Sequence, residues 1–255
     1  MKTILLDKKS IHSGSLILIN GEHGIMQDKD GAEMRLVPFK AANGDIFLEA
    51  TAAALLSQLL QTLSTGDRII PVSGYRSHDE QAVLYDSSLS QNGGDFTARY
   101  VARPGQSEHQ TGLAVDMAVN TEHINPICPD FPDTVYSGEF HNNAYRFGFI
   151  ERYGQNKQSI TGIAHEPWHY RYVEYPHSRI IRENCLCLEE YISVIRDFQY
   201  GSNPLRIRQN NKLIEISYLA ADDNNTVMKM KDDDVYQVSG NNIDGFIVTL
   251  WRNMP

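Results

Sequence analysis

Cysteine is scarce in this sequence: three residues, Cys128, Cys185 and Cys187, odd in number and with no C-x-x-C pair among them. Reduced, partly buried thiols are therefore expected rather than a disulfide framework, and the lone C-x-C supplies only half of a structural zinc site. Basic charge is in deficit too. Lys and Arg number 23 against 32 Asp and Glu, a formal net charge of -9, and no Lys/Arg block interrupts the pattern, which argues against a surface that tracks nucleic-acid phosphates. No apolar run approaches the ~20 residues of a membrane span. The opening MKTILLDKKS cuts its apolar ILL short with DKK, before a signal-peptide core can form. A cytoplasmic protein with no nucleic-acid partner and no membrane span is the expectation. Internal repeats and low-complexity segments are also missing.

What is present suffices for a full core: 255 residues, 41% hydrophobic and 22% charged. Residues 1 to 45 alternate short apolar runs (SLILIN, MRLVPF) with turn-like NGEHG, KDGAE and ANGD, which predicts strands and hairpins. FLEATAAALLSQLLQTL, from Phe47 to Leu63, reads as a helix, being rich in Ala and Leu with apolar residues at helical spacing. RIIPVSGYRS reads as a strand entering a tight loop. A second helix follows, with Ser77 as its cap and Glu80 completing a capping box, and NGGD ends it. ARYVARPGQSEHQTG has the Gly and Pro of a loop, LAVDMAV reads as a central strand, NNAYRFGFIERYG looks helical ahead of its glycine, and WHYRYV has the aromatic content of a strand. LCLEEYISVIRDF is an amphipathic helix. After Gly201 the texture changes to short alternating segments between Asn/Asp/Gly turns. Residues 1–200 are therefore expected to form the main domain and 201–255 a small β-rich extension. KDDD at 231–234 lacks the pattern of a calcium loop and reads as a solvated turn.

Of the nine histidines, His12, His23, His78, His123, His141 and His177 read as surface or satisfied core residues. His109 and His169 differ, since each lies within a few residues of a carboxylate where strand and loop meet. HEPWH at 165–169 formally fits H-E-x-x-H, but Pro167 lacks an amide hydrogen and pushes Glu166 out of the helical region, so the single helical turn that motif needs is not expected. In an extended segment His165 and His169 sit too far apart to chelate one ion, and Glu166 faces away from His169 unless the proline kink redirects it. One histidine is taken from this segment. His109, Asp116 and His169 then make a His2Asp set of the size catalytic zinc uses, with Gly112 letting the chain turn, and Glu166 supplies a free carboxylate as base.

These same residues carry a resemblance. SEHQTGLAVD fits S-x-H-x-x-G-x-A-x-D and EPWHYRYV the E-x-x-H block of the zinc D-alanyl-D-alanine carboxypeptidases and dipeptidases of the VanY and VanXY type. SGYRSHDEQ and YRFGFIERY resemble further blocks of that family, and the likeness runs from about residue 40 to 175. It implies an α+β fold, a small antiparallel sheet flanked by helices of the Hedgehog/D,D-peptidase kind, with the β-rich C-terminal appendage unexplained. One Zn2+ per chain on His109, Asp116 and His169, with Glu166 as catalytic base, is likewise implied. So are Arg76 polarising the scissile carbonyl, and Gln81 and Ser107 binding the terminal D-alanine. Taken alone, Arg76 reads as a loop salt bridge, but its place in SGYRS, five before Gln81, reverses that. Trp168 reads as a shield that fixes His169, and Tyr75 and Tyr170 as walls. The expected substrates are peptidoglycan precursor peptides ending in D-Ala-D-Ala, or the free dipeptide, with a consequent role in glycopeptide (vancomycin) resistance. Two other readings stand beside this: a zinc-bearing binder of cell-wall fragments that does not hydrolyse, which has no need of Glu166, and an L,D-carboxypeptidase, which spacing does not distinguish.

Overall fold

A computed structural model describes residues 1–26, 34–41, 44–209 and 211–253. The turns expected at 29–33 and at 42–43 lie outside them. The chain divides into two units, one joining Ile19–Ile25 to Glu33–Cys187 and the other joining Met1–Leu18 to Leu188–Pro255. This differs from the boundary at 200/201 read from the sequence, and the cause is strand pairing. The first strand, β1 (Lys2–Asp7), is antiparallel to a strand more than 200 residues away, with Lys2 opposite Met230 and Asp7 opposite Asn225. No local pattern announces such a pairing.

The larger unit begins with a hairpin, β2 (Leu36–Ala41) and β3 (Gly44–Glu49). Glu49 ends β3 and caps helix α1 (Ala50–Thr62), its carboxylate accepting from the amides of Thr51 and Ala52. The helix predicted from Phe47 therefore starts later, because Phe47 and Leu48 are paired with Pro38 and Val37. Then come β4 (Ile69–Ser73), α2 (His78–Asn92), α3 (Gly94–Tyr100), β5 (Ala114–Val119), α4 (Val135–Ala144), β6 (Phe149–Tyr153), the single turn α5 (Gln158–Thr161), β7 (Glu166–Tyr172) and α6 (His177–Glu183). The capping box of α2 is present as read, Ser77 accepting from Glu80 N and Glu80 from Ser77 N. Helix α3 occupies residues that read as loop, and α6 was not anticipated. The helical stretch at 142–147 stops at Gly148, whose φ of +88° suits glycine, and FIERY beyond it is β6.

Four of these strands form an antiparallel sheet in the order β4-β5-β7-β6. On one face Val115, Met117, Tyr170 and Tyr172 enter a core completed by Leu48, Ala52, Leu56 and Leu59 beside Phe140 and Phe149. Strand alternation sends Asp116, His169 and Arg171 to the other face. This α+β arrangement of helices around a small antiparallel sheet is the fold class expected.

In the smaller unit α7 (Leu188–Ile195) precedes β8 (Leu205–Gln209), β9 (Lys212–Ala220), β10 (Asn225–Met230), β11 (Val235–Gly240) and β12 (Gly245–Asn253). The sheet order is β11-β12-β9-β8, with β1-β10 as a separate pair. SLILIN, expected as a strand, is not one. Leu16, Ile17, Leu18 and Ile19 are buried, and Leu18 is tied to Asn241 and Asn242 by single bonds rather than a ladder. Asp234, read as part of a solvated turn, is buried and ion-paired with Arg252, while Asp232 and Asp233 are exposed. Among the described residues no helix is long and apolar enough to cross a membrane. All three cysteines are free thiols.

Candidate metal centre

Cross-strand register places the first two donors. Asp116 on β5 lies directly opposite His169 on β7, so their side chains leave the same face side by side. The third, His109, arrives on a one-turn 3-10 segment, Glu108–Thr111, that Gly112 closes in the left-handed region at φ +68°. A Cβ at Gly112 would also meet Leu36 Cδ2 at 2.8 Å and Glu49 N at 3.1 Å. Strain and clash together predict that Gly112→Ala loses about 2 kcal/mol or more, read as a lower urea midpoint with an unchanged slope.

One ligand atom from each of His109, Asp116 and His169 lies within 4.8 Å of the other two, and no other such His/Cys/Asp/Glu group occurs among the described residues. His109 Nδ1 is 2.7 Å from the carbonyl of Gly74, to which it donates, so Nε2 faces Asp116 Oδ2 at 3.2 Å. His169 is oriented the other way round. Its Nδ1 is 2.9 Å from Asp116 Oδ1, and its Nε2 is 3.4 Å from Glu108 Oε2. All four side chains are buried.

Charge in this pocket favours a cation. Burial alone would raise the Asp116 carboxyl, yet His109 and His169 hold it far below the usual carboxylate range. Burial alone would lower His169, yet Asp116 and Glu108 push it up to about 10. Burial, with Arg76 and His169, lowers His109 against the pull of Asp116, so one imidazole is kept neutral as a metal ligand must be, and two imidazoles with a carboxylate fit a divalent metal of the zinc type.

Glu166 stands at the edge of the set, Oε2 4.0 Å from His169 Nδ1. Strict alternation would put residues three apart on opposite faces. Here the pairing of β6 with β7 steps from Glu151↔Tyr170 to Tyr153↔Glu166, two residues on one strand against four on the other, and Pro167 lies in the irregularity. The bulge turns Glu166 toward His169. Burial, reinforced by Asp116 and Glu108, raises its carboxyl to about 8 against the opposing pull of His169.

Arg76, Gln81, Ser107 and Trp168 line the same small cleft, about 50 Å³, as the four residues above. Arg76 is steadied by donation to Gln81 Oε1 at 2.8 Å and to Ser73 Oγ at 2.9 Å, and Ser73 is paired opposite Asp116. Gln81 Nε2 donates to the Ala102 carbonyl at 2.7 Å, which leaves one amide N–H of this side chain for anything else. Tyr170 is not a wall of this cleft. It packs on the opposite face against Phe140 and lines a larger cavity of about 480 Å³ with His141, Glu151 and His165. His165 lies apart from the donor set, 3.0 Å from Glu151.

Sequence reasoning passed over what lies beneath the donors. Glu108 is fully buried, and its Oε1 accepts from Arg152 Nε and Arg171 Nη1, each at 2.8 Å. The arginines hold its carboxyl well below the usual range against the raising effect of burial. The signal was available: Arg152, fourth in FIERY, and Arg171 in WHYRYV, each beside an aromatic in a strand, call for a buried acid.

Three candidate donors beside a cleft, with a buried carboxylate at the edge, are an arrangement of the kind metallohydrolases use, here on an α+β frame. Residues 45–175 match the VanY family, described as D-alanyl-D-alanine carboxypeptidase. The chain is 39% identical over 178 residues, 69% of its own length and 93% of the relative, to the bifunctional D-Ala-D-Ala dipeptidase and D-Ala-D-Ala carboxypeptidase VanXYC of Enterococcus gallinarum. It is similar to the structure of the vancomycin resistance D,D-dipeptidase VanXYg in complex with a D-Ala-D-Ala phosphinate analogue: 46% identity and a TM-score of 0.93, covering 98% of this chain and 99% of that one. A mutant of the vancomycin resistance D,D-pentapeptidase VanY, in complex with Zn(II), matches at 32% identity with a TM-score of 0.56, covering 70% of this chain and 98% of that one. The chain belongs to the VanY D-alanyl-D-alanine carboxypeptidase family.

Proposed function

We propose that this chain is a zinc-dependent D,D-peptidase that removes the terminal D-alanine from peptidoglycan precursor peptides ending in D-Ala-D-Ala and splits the free dipeptide. The observation that carries the reading is the convergence of His109, Asp116 and His169 beside the buried carboxyl of Glu166. The three donors would hold the metal, and when bound the ion supplies Lewis acidity that makes water nucleophilic near neutral pH. Glu166 takes a proton from the attacking water and delivers it to the leaving amine nitrogen as the C–N bond breaks. Burial of its carboxyl favours the protonated form from which the second transfer starts.

Arg76 spends two of its five N–H donors on Gln81 and Ser73, which fixes the guanidinium plane and leaves the others for the oxygen of the scissile carbonyl. A donor so placed contributes on the order of 3 kcal/mol as negative charge develops there. Ser107 and the remaining Gln81 N–H are assigned to the terminal D-alanine and its carboxylate. Acting in the cytoplasm, such an enzyme would deplete the termini that glycopeptide antibiotics bind.

The test is D-alanine release from D-Ala-D-Ala and from a pentapeptide ending in it. Both activities are expected to vanish on chelation and return with Zn2+. Release that survives thorough metal removal would refute the proposal, and release from an L,D-tetrapeptide alone would replace it with the L,D reading.

A further inference from the structure

We propose that Glu108 is a positioning residue that sets how tightly the centre holds its metal, by fixing His169 from behind; the inference rests on the reading of His109, Asp116 and His169 as the ligands. An imidazole that turns one nitrogen to a metal keeps its proton on the other. A partner for that N–H fixes both tautomer and ring orientation, and a charged partner also makes the ligand more basic. For His109 the partner is neutral, the carbonyl of Gly74. For His169 it is the Glu108 carboxylate, 3.4 Å from Nε2.

Glu108 is not free to swing away. Its second oxygen is gripped at 2.8 Å by Arg152 from β6 and by Arg171 from β7, and all three side chains are fully buried. The ring of Tyr153 lies over His169, with centroids 4.9 Å apart, and closes the remaining direction. Glu108 and His109 are neighbours in one short turn, yet they serve different donors: His109 is a ligand itself, while Glu108 reaches along the same face of the sheet to the other histidine.

Zn2+ titration of the chelator-stripped full-length chain against a competing fluorescent chelator measures the effect without reference to turnover. Glu108→Gln is expected to bind about 10–100-fold more weakly than the unmodified chain. Arg152→Met disturbs the same buried cluster from the far side of the carboxylate and should change affinity only a few-fold. The absorption bands of the Co2+-substituted protein should shift in Glu108→Gln and not in Arg152→Met. Unchanged affinity in Glu108→Gln overturns the proposal, and so does an equal loss in Arg152→Met, since the cluster would then support the fold and nothing more. Should Glu108→Gln fail to fold, Glu108→Asp decides. It keeps a carboxylate facing the arginines but shortens its reach toward His169, already 3.4 Å away, so a tenfold loss supports the role and wild-type affinity refutes it. If the unmodified chain binds no zinc, the functional reading itself fails, an outcome distinct from all of these.

Discussion

Glu166→Ala is expected to release D-alanine about 10²–10⁴-fold more slowly than the unmodified enzyme while retaining its full complement of Zn2+. The separation of the two readouts follows from geometry. Glu166 is outside the set of converging donors, 4.0 Å from the nearest ligand nitrogen, so its removal takes away the proton carrier and leaves the metal's attachments in place. Its environment suits the task. At 5% exposure the carboxyl is desolvated, and Asp116 and Glu108 add to the upward push. The loss should appear in kcat rather than KM, because proton transfer is a demand of the transition state. Glu166→Gln, similar in shape but unable to accept the proton, should be equally impaired. Unchanged turnover with metal bound would show that another group is the base, whereas an unmodified chain that binds Zn2+ without turnover would revive the non-hydrolytic reading.

Glu108→Ala is expected to cost about 3–5 kcal/mol of folding stability, the range for removing one member of a buried ion-pair cluster. The magnitude comes from what remains: Arg152 and Arg171, both at 0% exposure, lose the carboxylate they share. Urea unfolding at neutral pH measures it directly. The pH dependence has a definite sign. A carboxyl whose folded pKa is depressed contributes fully above its unfolded value, about 4.3, and the contribution fades as pH falls toward the folded value. The gap between Glu108→Ala and the unmodified chain should therefore narrow below about pH 4. A gap that is constant with pH would mean that packing, not charge, supplies the difference.

Much of the centre could be read from residue types and spacing. LAVDMAV and WHYRYV are the strands that bring Asp116 and His169 together, and HEPWH yields one histidine to the donor set rather than two. What could not be read depends on register and on distance along the chain. Whether Glu166 faces His169 is decided by a bulge that involves β6, which lies outside the motif. The failure at SLILIN has a different origin. Its apolar pattern correctly marks burial, but burial does not require a ladder, and its amide and carbonyl groups are met one at a time by Ser239, Asn241 and Asn242. Glu108 was legible in principle from the two strand arginines that demand it.

The pairing of β1 with β10 imposes an order on folding during synthesis. A ribosome makes the chain from its amino end at about 5–20 residues per second, and domains fold as their parts emerge. The main part of the larger unit, Glu33–Cys187, is contiguous and can consolidate once Cys187 has left the exit tunnel. β1, although made before that unit, waits for Met230 before its ladder can close. During that interval an exposed apolar strand edge goes unpaired, which makes the growing chain most vulnerable to aggregation just when its future catalytic unit is already complete.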